Sequence, residues 1–326
     1  MFDDVVVVDF SAAASPRTGR DSIWIAHGRA GRPVATANPP TRRDARLLLE
    51  ALLGTVLRRG RTVLVGLDFS LGYPAGFAAA TRPMAGGGLR LPPWRRTWRL
   101  LAELVEDGPG NVNNRFAAAD AVNRRTGARL FWGRPTSPAF GALRALPPTD
   151  TVPAGLTPSP CPPLRLAERH AGRGIRSNFQ LLGAGTVGGQ VLVGIPWLAH
   201  LVDRFRPLAT VWPFETGFVD DPLARPASLG PVPGPVPGPN RPGDRPRVVF
   251  AELWPPLFQD PGSVVDRERP EAAVRDEVQV RTAVEACAGC DEAVWSAWFR
   301  PATVTGLSPD QRARVEEEEG WILGVP

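Results

Sequence analysis

Two apolar runs end in nearly the same way: DVVVVDFS at 4–11 and TVLVGLDFS at 62–70. Four consecutive valines without polar alternation fit a strand buried on both faces, the usual state of a strand inside a parallel sheet. Two shorter strand candidates lie between them, in DSIWIAHG and RPVATA, joined by the glycine-containing GRAG. A single helix follows, TRRDARLLLEALLGTVLRRG. Thr41 is placed to cap its start with Asp44 three residues on. Arg58 and Arg59 suit its negative end, and Gly60 is placed to stop it. Strands joined by short turns are antiparallel neighbours, whereas a strand reached through a helix runs parallel to the one before the crossover. The first 70 residues therefore spell strand, strand, strand, helix, strand in one mixed sheet.

That order opens an RNase H-like α/β fold, and the expected organisation follows from it. Residues 1–75 form the N-terminal half of the core, 76–208 a large, mostly helical, proline-rich insertion, and 209–326 the C-terminal half. PPWRRTWRLLAELVEDG and NRFAAADAVNRRTG are helical, and TVGGQVLVGIPWLAHLVDRF is a helix interrupted or kinked at Pro196. LATVWPFETG and PRVVFAELWPPLF supply two more strands, followed by a helix from about Pro270 to Ala288. A last helix, SPDQRARVEEEEG, carries Ser308 as cap, Pro309 at its first position and Gln311 for a capping box. Two segments are too rich in proline to be regular, 146–163 and the extended loop 225–246.

Of the 326 residues, 43% are hydrophobic and 22% charged, in keeping with a globular protein. No apolar run approaches a membrane span. The acidic start MFDD is not a signal peptide, and three cysteines in so long a chain point to a reducing, cytoplasmic setting rather than a disulfide framework. All 38 basic residues are arginine. The missing lysine excludes a phosphate-loop lysine, a Schiff base and a kinase-type strand lysine. The net charge of +5 is compatible with a nucleic-acid partner, and equally with a coding bias that replaces lysine by arginine.

The stretch NFQLLGAGTVGGQVLVGIPWL places Gly183, Gly185 and Gly188 in the spacing G-x-G-x-x-G. A dinucleotide site needs a strand before such glycines and an acid at the end of a second strand. Only FQLL precedes them, and Asp203 falls in the same helical stretch, so tight turning and close helix packing are the expected roles.

The acidic residues carry the chemistry. Asp9 and Asp68 end two strands expected to be parallel neighbours, about 4.8 Å apart. Carboxylates so placed repel unless a cation stands between them, and Mg²⁺ or Mn²⁺ is the natural hard cation. The bland alternative is that both cap the turns that follow. Glu252 lies near the end of a later apolar strand, and Asp276 heads the stripe Val280, Ala283, Val284 and Cys287 of the last long helix. Glu215, on another strand end, competes with Glu252. Three or four carboxylates converging at strand ends are what two-metal phosphodiester hydrolysis requires. In the turn SAAASPRTGR, Ser11 and Arg17, with Ser15, Thr18 and Arg20, either grip a phosphate or simply form a long loop.

The stretches VVVVDFSAAASPRTGRDSIWIA, VGLDFSLGYPAGF, NRFAAADAVNRRTG, LFWGRP, LLGAGTVGGQVLVGIP, VWPFETG, VVFAELWP and VRDEVQVRTA together span most of the chain. They resemble the domain of unknown function numbered 429, a predicted RNase H-like nuclease family. The resemblance is to a bacterial branch often labelled as cobalamin or molybdopterin-guanine-dinucleotide biosynthesis proteins. It implies Asp9, Asp68, Glu252 and Asp276 as the acids of a divalent-metal site, with Glu215 an alternative for the strand glutamate. The expected function is a Mg²⁺- or Mn²⁺-dependent phosphodiester hydrolase acting on a nucleic acid or nucleotide, without membrane association. Two alternatives share the core: an ATP-dependent phosphotransferase of the actin and sugar-kinase superfamily, and a non-catalytic scaffold that has lost its metal.

Weaker signals have ordinary readings. Trp94 and Trp98 interleave with arginines as in single-strand binders, yet fall on one apolar helix face with Leu101, Ala102 and Val105. Cys287 and Cys290 form C-x-x-C at a helix end, where neither zinc nor redox chemistry is favoured. The run Glu316–Glu319 reads as a solvated helix face.

Overall fold

The computed structural model describes residues 1–81, 91–135, 139–143, 160–172, 176–183, 185–224, 245–258 and 274–326. Most of the proline-rich segments 146–163 and 225–246 lies outside these, as does the expected start of the last long helix.

The N-terminal order is as expected. Strands β1 (Asp4–Asp9), β2 (Trp24–Gly28) and β3 (Ala35–Ala37) lead through α1 (Arg42–Arg58) to β4 (Val63–Leu67). Thr41 caps α1 by accepting the Asp44 N–H, and Gly60 takes the left-handed conformation (φ 69°) that ends it. Helices α2 (Phe77–Ala80), α3 (Pro93–Leu104), α4 (Arg115–Thr126), α5 (Leu166–Ala171) and α6 (Gly188–Phe205) follow, then β5 (Ala209–Val211) and β6 (Val248–Leu253). The chain closes through α7 (Arg275–Ala288), α8 (Glu292–Phe299), α9 (Ala302–Thr305), α10 (Pro309–Arg314) and β7 (Ile322–Leu323). Helix α6 runs unbroken through Pro196 rather than stopping there. The two-residue β7 gives no periodicity to read and was not expected.

Among the described residues the fold is a mixed α/β sheet of seven strands in the order β3-β2-β1-β4-β6-β5, with β7 also along β6. The pairs β1–β2 and β2–β3 are antiparallel; β1–β4, β4–β6, β5–β6 and β6–β7 are parallel. Side chains alternate between the faces of a strand, and the two cores divide accordingly. Val6, Val8, Val65, Leu67, Val248 and Phe250 join α1, α3, α4 and α6 on one face. Val5, Val7, Leu64, Val249, Ala251 and Leu253 join α7 and the C-terminal helices on the other. The helices of 76–208 thus share the sheet's own core.

Trp94 and Trp98 are buried in that core, as their spacing implies. The glycines of the 183–188 stretch also serve packing. Gly183 and Gly185 have positive φ, and a Cβ on Gly188 would stand 2.4 Å from the Gln180 carbonyl oxygen. The run Glu316–Glu319 corrects an expectation. It forms a single π-turn (Val315–Glu319), and its last two acids point inward to bind N–H groups. Glu318 accepts from Gly76 and Ala78, and Glu319, only 2% exposed, accepts from Ala75 and Leu166. These amides start α2 and α5, where helix N–H groups lack internal partners. Tertiary need overrode a pattern that reads as solvated.

Candidate acidic site at the strand ends

Asp9 is the last residue of β1, and Asp68 follows β4 directly, its N–H donating to the Val8 carbonyl at 2.9 Å. The ladder therefore places the two acids side by side where parallel strands end, a common location for ligand sites in α/β sheets. By alternation both belong with Val5, Val7 and Leu64, on the face covered by α7. Asp276 enters from the first turn of α7 and accepts the Asp21 N–H at 2.7 Å. The expected apolar stripe beneath it, Val280, Ala283, Val284 and Cys287, is buried against the sheet.

The electrostatics record this convergence. Burial, then the charges of Asp68, Asp276 and Asp21, raises the Asp9 carboxyl well above the usual carboxylate range. Burial, then Glu252 and Asp276, pushes Asp68 up to about 7. Asp21 is thus a further acid at the site, one that ends no apolar run and carries no signal in the sequence pattern. It has a left-handed backbone (φ 53°) at the end of the β1–β2 turn, where Ser11 Oγ donates to its carbonyl.

Glu252 lies close by but is differently engaged. It pairs with Leu67 across the ladder, one residue before the Asp68 level, and alternates with Val248 and Phe250 toward the opposite face. There the buried Arg165 takes both its oxygens, Nη1 to Oε2 at 2.8 Å and Nη2 to Oε1 at 2.6 Å. Leu71 N–H adds a longer bond of 3.3 Å. Glu215 is held elsewhere, accepting from Arg95, Arg206 and the Val211 N–H. Glu215 stands in the turn after β5 rather than at the expected strand end, and of the two glutamates only Glu252 neighbours the aspartates.

The turn after β1 is built by Arg42, the first residue of α1. It is buried, and donates to the carbonyls of Ser11, Ala13 and Asn111 and bidentately to Asp107. Ser11 Oγ is committed to the turn itself, accepting from Ala13 N–H as well as bonding Asp21. Arg17 is exposed; its backbone N–H bonds Pro40, and no partner of its guanidinium is recorded among the described residues.

A cleft borders this group on the Glu252 side, lined among others by Asp68, Ser70, Arg165, Arg176, Val187 and Glu252. Asp9 and Asp276 are not in its wall, so Asp68 is the acid reached from both sides. Val187 precedes the first turn of α6, whose start has no side-chain cap, and Arg176 is exposed at the rim. Among the described residues, no three carboxylates, imidazoles or thiolates are gathered tightly enough to hold an ion unaided. No helix among them is long and apolar enough to cross a membrane. Compared with known proteins, the chain matches no family model, no curated protein and no solved structure.

Proposed function

We propose that the protein is a divalent-metal-dependent phosphodiester hydrolase, nuclease-like, built on an RNase H-like core. The observation that carries this reading is the placement of Asp9 and Asp68 on adjacent parallel strand ends, on one sheet face, with Asp276 brought over them by α7. The sheet order and the resemblance to the numbered domain family support the same reading.

The donor set fits Mg²⁺ or Mn²⁺: carboxylate oxygens only, crowded by like charge, with no basic side chain bonded to Asp9 or Asp68 among the described residues. Mg²⁺ is usually bound by one or two carboxylates, with water and substrate phosphate completing its shell. Asp9 and Asp68 would hold the ion, with Asp276 beside them. Such an ion, when bound, lowers the pKa of water and stabilises a developing phosphate charge. The chain's own contributions are distinct. Asp68 holds a proton near neutrality that must leave before the site can accept a cation. Asp276 fixes the end of the β1–β2 turn through Asp21, and Arg176 and Arg17 offer exposed guanidinium groups to an anionic substrate.

Calorimetric titration with Mn²⁺ tests the site. Wild type is expected to bind, and Asp9→Asn to lose binding while keeping its fold by circular dichroism. Cleavage of single- and double-stranded oligonucleotides should follow the same order. Equal Mn²⁺ binding by both forms sinks the carboxylate site. Binding of ATP in place of a phosphodiester substrate would move the protein to the phosphotransferase class.

A further inference from the structure

We propose that Arg165 holds Glu252 out of the metal site, so that this site takes one divalent ion rather than two. The inference rests on the metal reading above and narrows it. A second ion on the cleft side would need a further carboxylate beside Asp68. Glu252 is the acid at hand there, and both its oxygens are already taken by Arg165.

Every N–H of the Arg165 guanidinium has an acceptor. Nε donates to Glu168 at 3.0 Å, Nη1 to Glu252 and the Glu319 carbonyl, both at 2.8 Å, and Nη2 to Glu252 at 2.6 Å and Ser70 Oγ at 2.8 Å. The side chain is fully buried. Ser70 passes the order on by donating to Asn178 Oδ1, and Asn178 donates in turn to the Gly72 carbonyl. Turning Glu252 toward an ion would strip a buried, permanently charged group of its bidentate partner, and breaking such a pair is strongly destabilising. The strand itself also opposes it. Glu252 leaves β6 on the face opposite the one that Asp9 and Asp68 share. Glu252 is therefore held on the cleft side by its guanidinium partner, and the three aspartates on the α7 side are left for one ion. With all its donors committed, Arg165 acts by positioning Glu252, not by touching substrate.

The test is the number of ions bound by the full chain, from calorimetric titration with Mn²⁺ and elemental analysis after gel filtration. Wild type is expected to bind one Mn²⁺. Glu252→Gln is expected to change Kd by less than about tenfold, or 1.4 kcal/mol, although its melting temperature falls. Should that variant fail to fold, the triple variant Arg165→Met/Glu168→Gln/Glu252→Met replaces the whole buried ion group, Glu168 included, by uncharged side chains, an exchange that buried ion pairs and triads often tolerate. It too is expected to bind one ion. Two ions on wild type, or a loss of the ion in either variant, overturns the role of Arg165 and leaves the metal reading standing. No ion on wild type overturns both.

Discussion

Asp68 lies between the acid group and the cleft, and its proton links stability to function. Its carboxyl is raised from 3.8 to about 7, first by burial and then by Glu252 and Asp276. A group raised on folding contributes stability that is fully present below its unfolded value and lost as pH climbs through its folded one. The ion-free protein is therefore expected to lose stability between about pH 4 and 7, with Asp9, raised in the same direction, adding to the loss. Melting temperatures in chelator from pH 5 to 8 should decline for wild type, decline less for Asp68→Asn, and be restored at the upper end by Mn²⁺. Identical slopes in the two proteins would remove Asp68 from this account. The aspartates were legible in sequence because each ends an apolar run, and a strand end is a position that a one-dimensional pattern marks. The alternation of Val248, Phe250 and Glu252 is just as plain, yet which face it takes relative to Asp9 is a matter of register between distant strands. Arg165 carried no signal at all. It sits among prolines and leucines in CPPLRLAERH, and only folding brings it to Glu252.

Among the elements, α6 shows how a glycine motif can be structural. A Cβ at Gly188 would meet the carbonyl oxygens of Gln180 at 2.4 Å and Asn178 at 2.6 Å, backbone atoms that cannot swing aside. Gly188→Ala is expected to cost about 1–3 kcal/mol by overpacking. Gly185 has open space around it and a φ of +67°. There Ala should cost only the left-handed backbone, about 1–2 kcal/mol. Denaturant unfolding of both variants measures the difference, and only Gly188→Ala should also disturb the start of α6 against Asn178. At α1, Thr41→Ala should cost about 1 kcal/mol in the same assay, since Thr41 Oγ1 accepts from Asp44 N–H at 3.1 Å. Helices α1 and α10 were readable to their capping residues because caps are local chemistry. The π-turn after α10 was not, because its geometry answers to amides at the starts of α2 and α5.

At the scale of the molecule, the C-terminal segment joins layers that are distant in sequence. Glu318 and Glu319 reach α2 and α5, Arg165 bonds the Glu319 carbonyl, and a Cβ on Gly72 would collide with the carbonyls of both glutamates. Glu319→Gln weakens two charge-assisted bonds to partly buried amides and should cost about 2 kcal/mol. Deleting 308–326 is expected to abolish cooperative thermal unfolding by circular dichroism. The same segment supplies β7, which pairs with Glu252 and Leu253 while β5 takes Val248 to Phe250. The two short strands lie end to end along one side of β6. In the order of synthesis, β6 leaves the ribosome well before its second partner, and α7 to α10 must emerge in between. During that interval the nascent chain carries an open strand edge at its acidic end, and open edges recruit other strands. Translation arrested after α7 should therefore yield an aggregating, chaperone-bound product, whereas the finished chain has that edge covered.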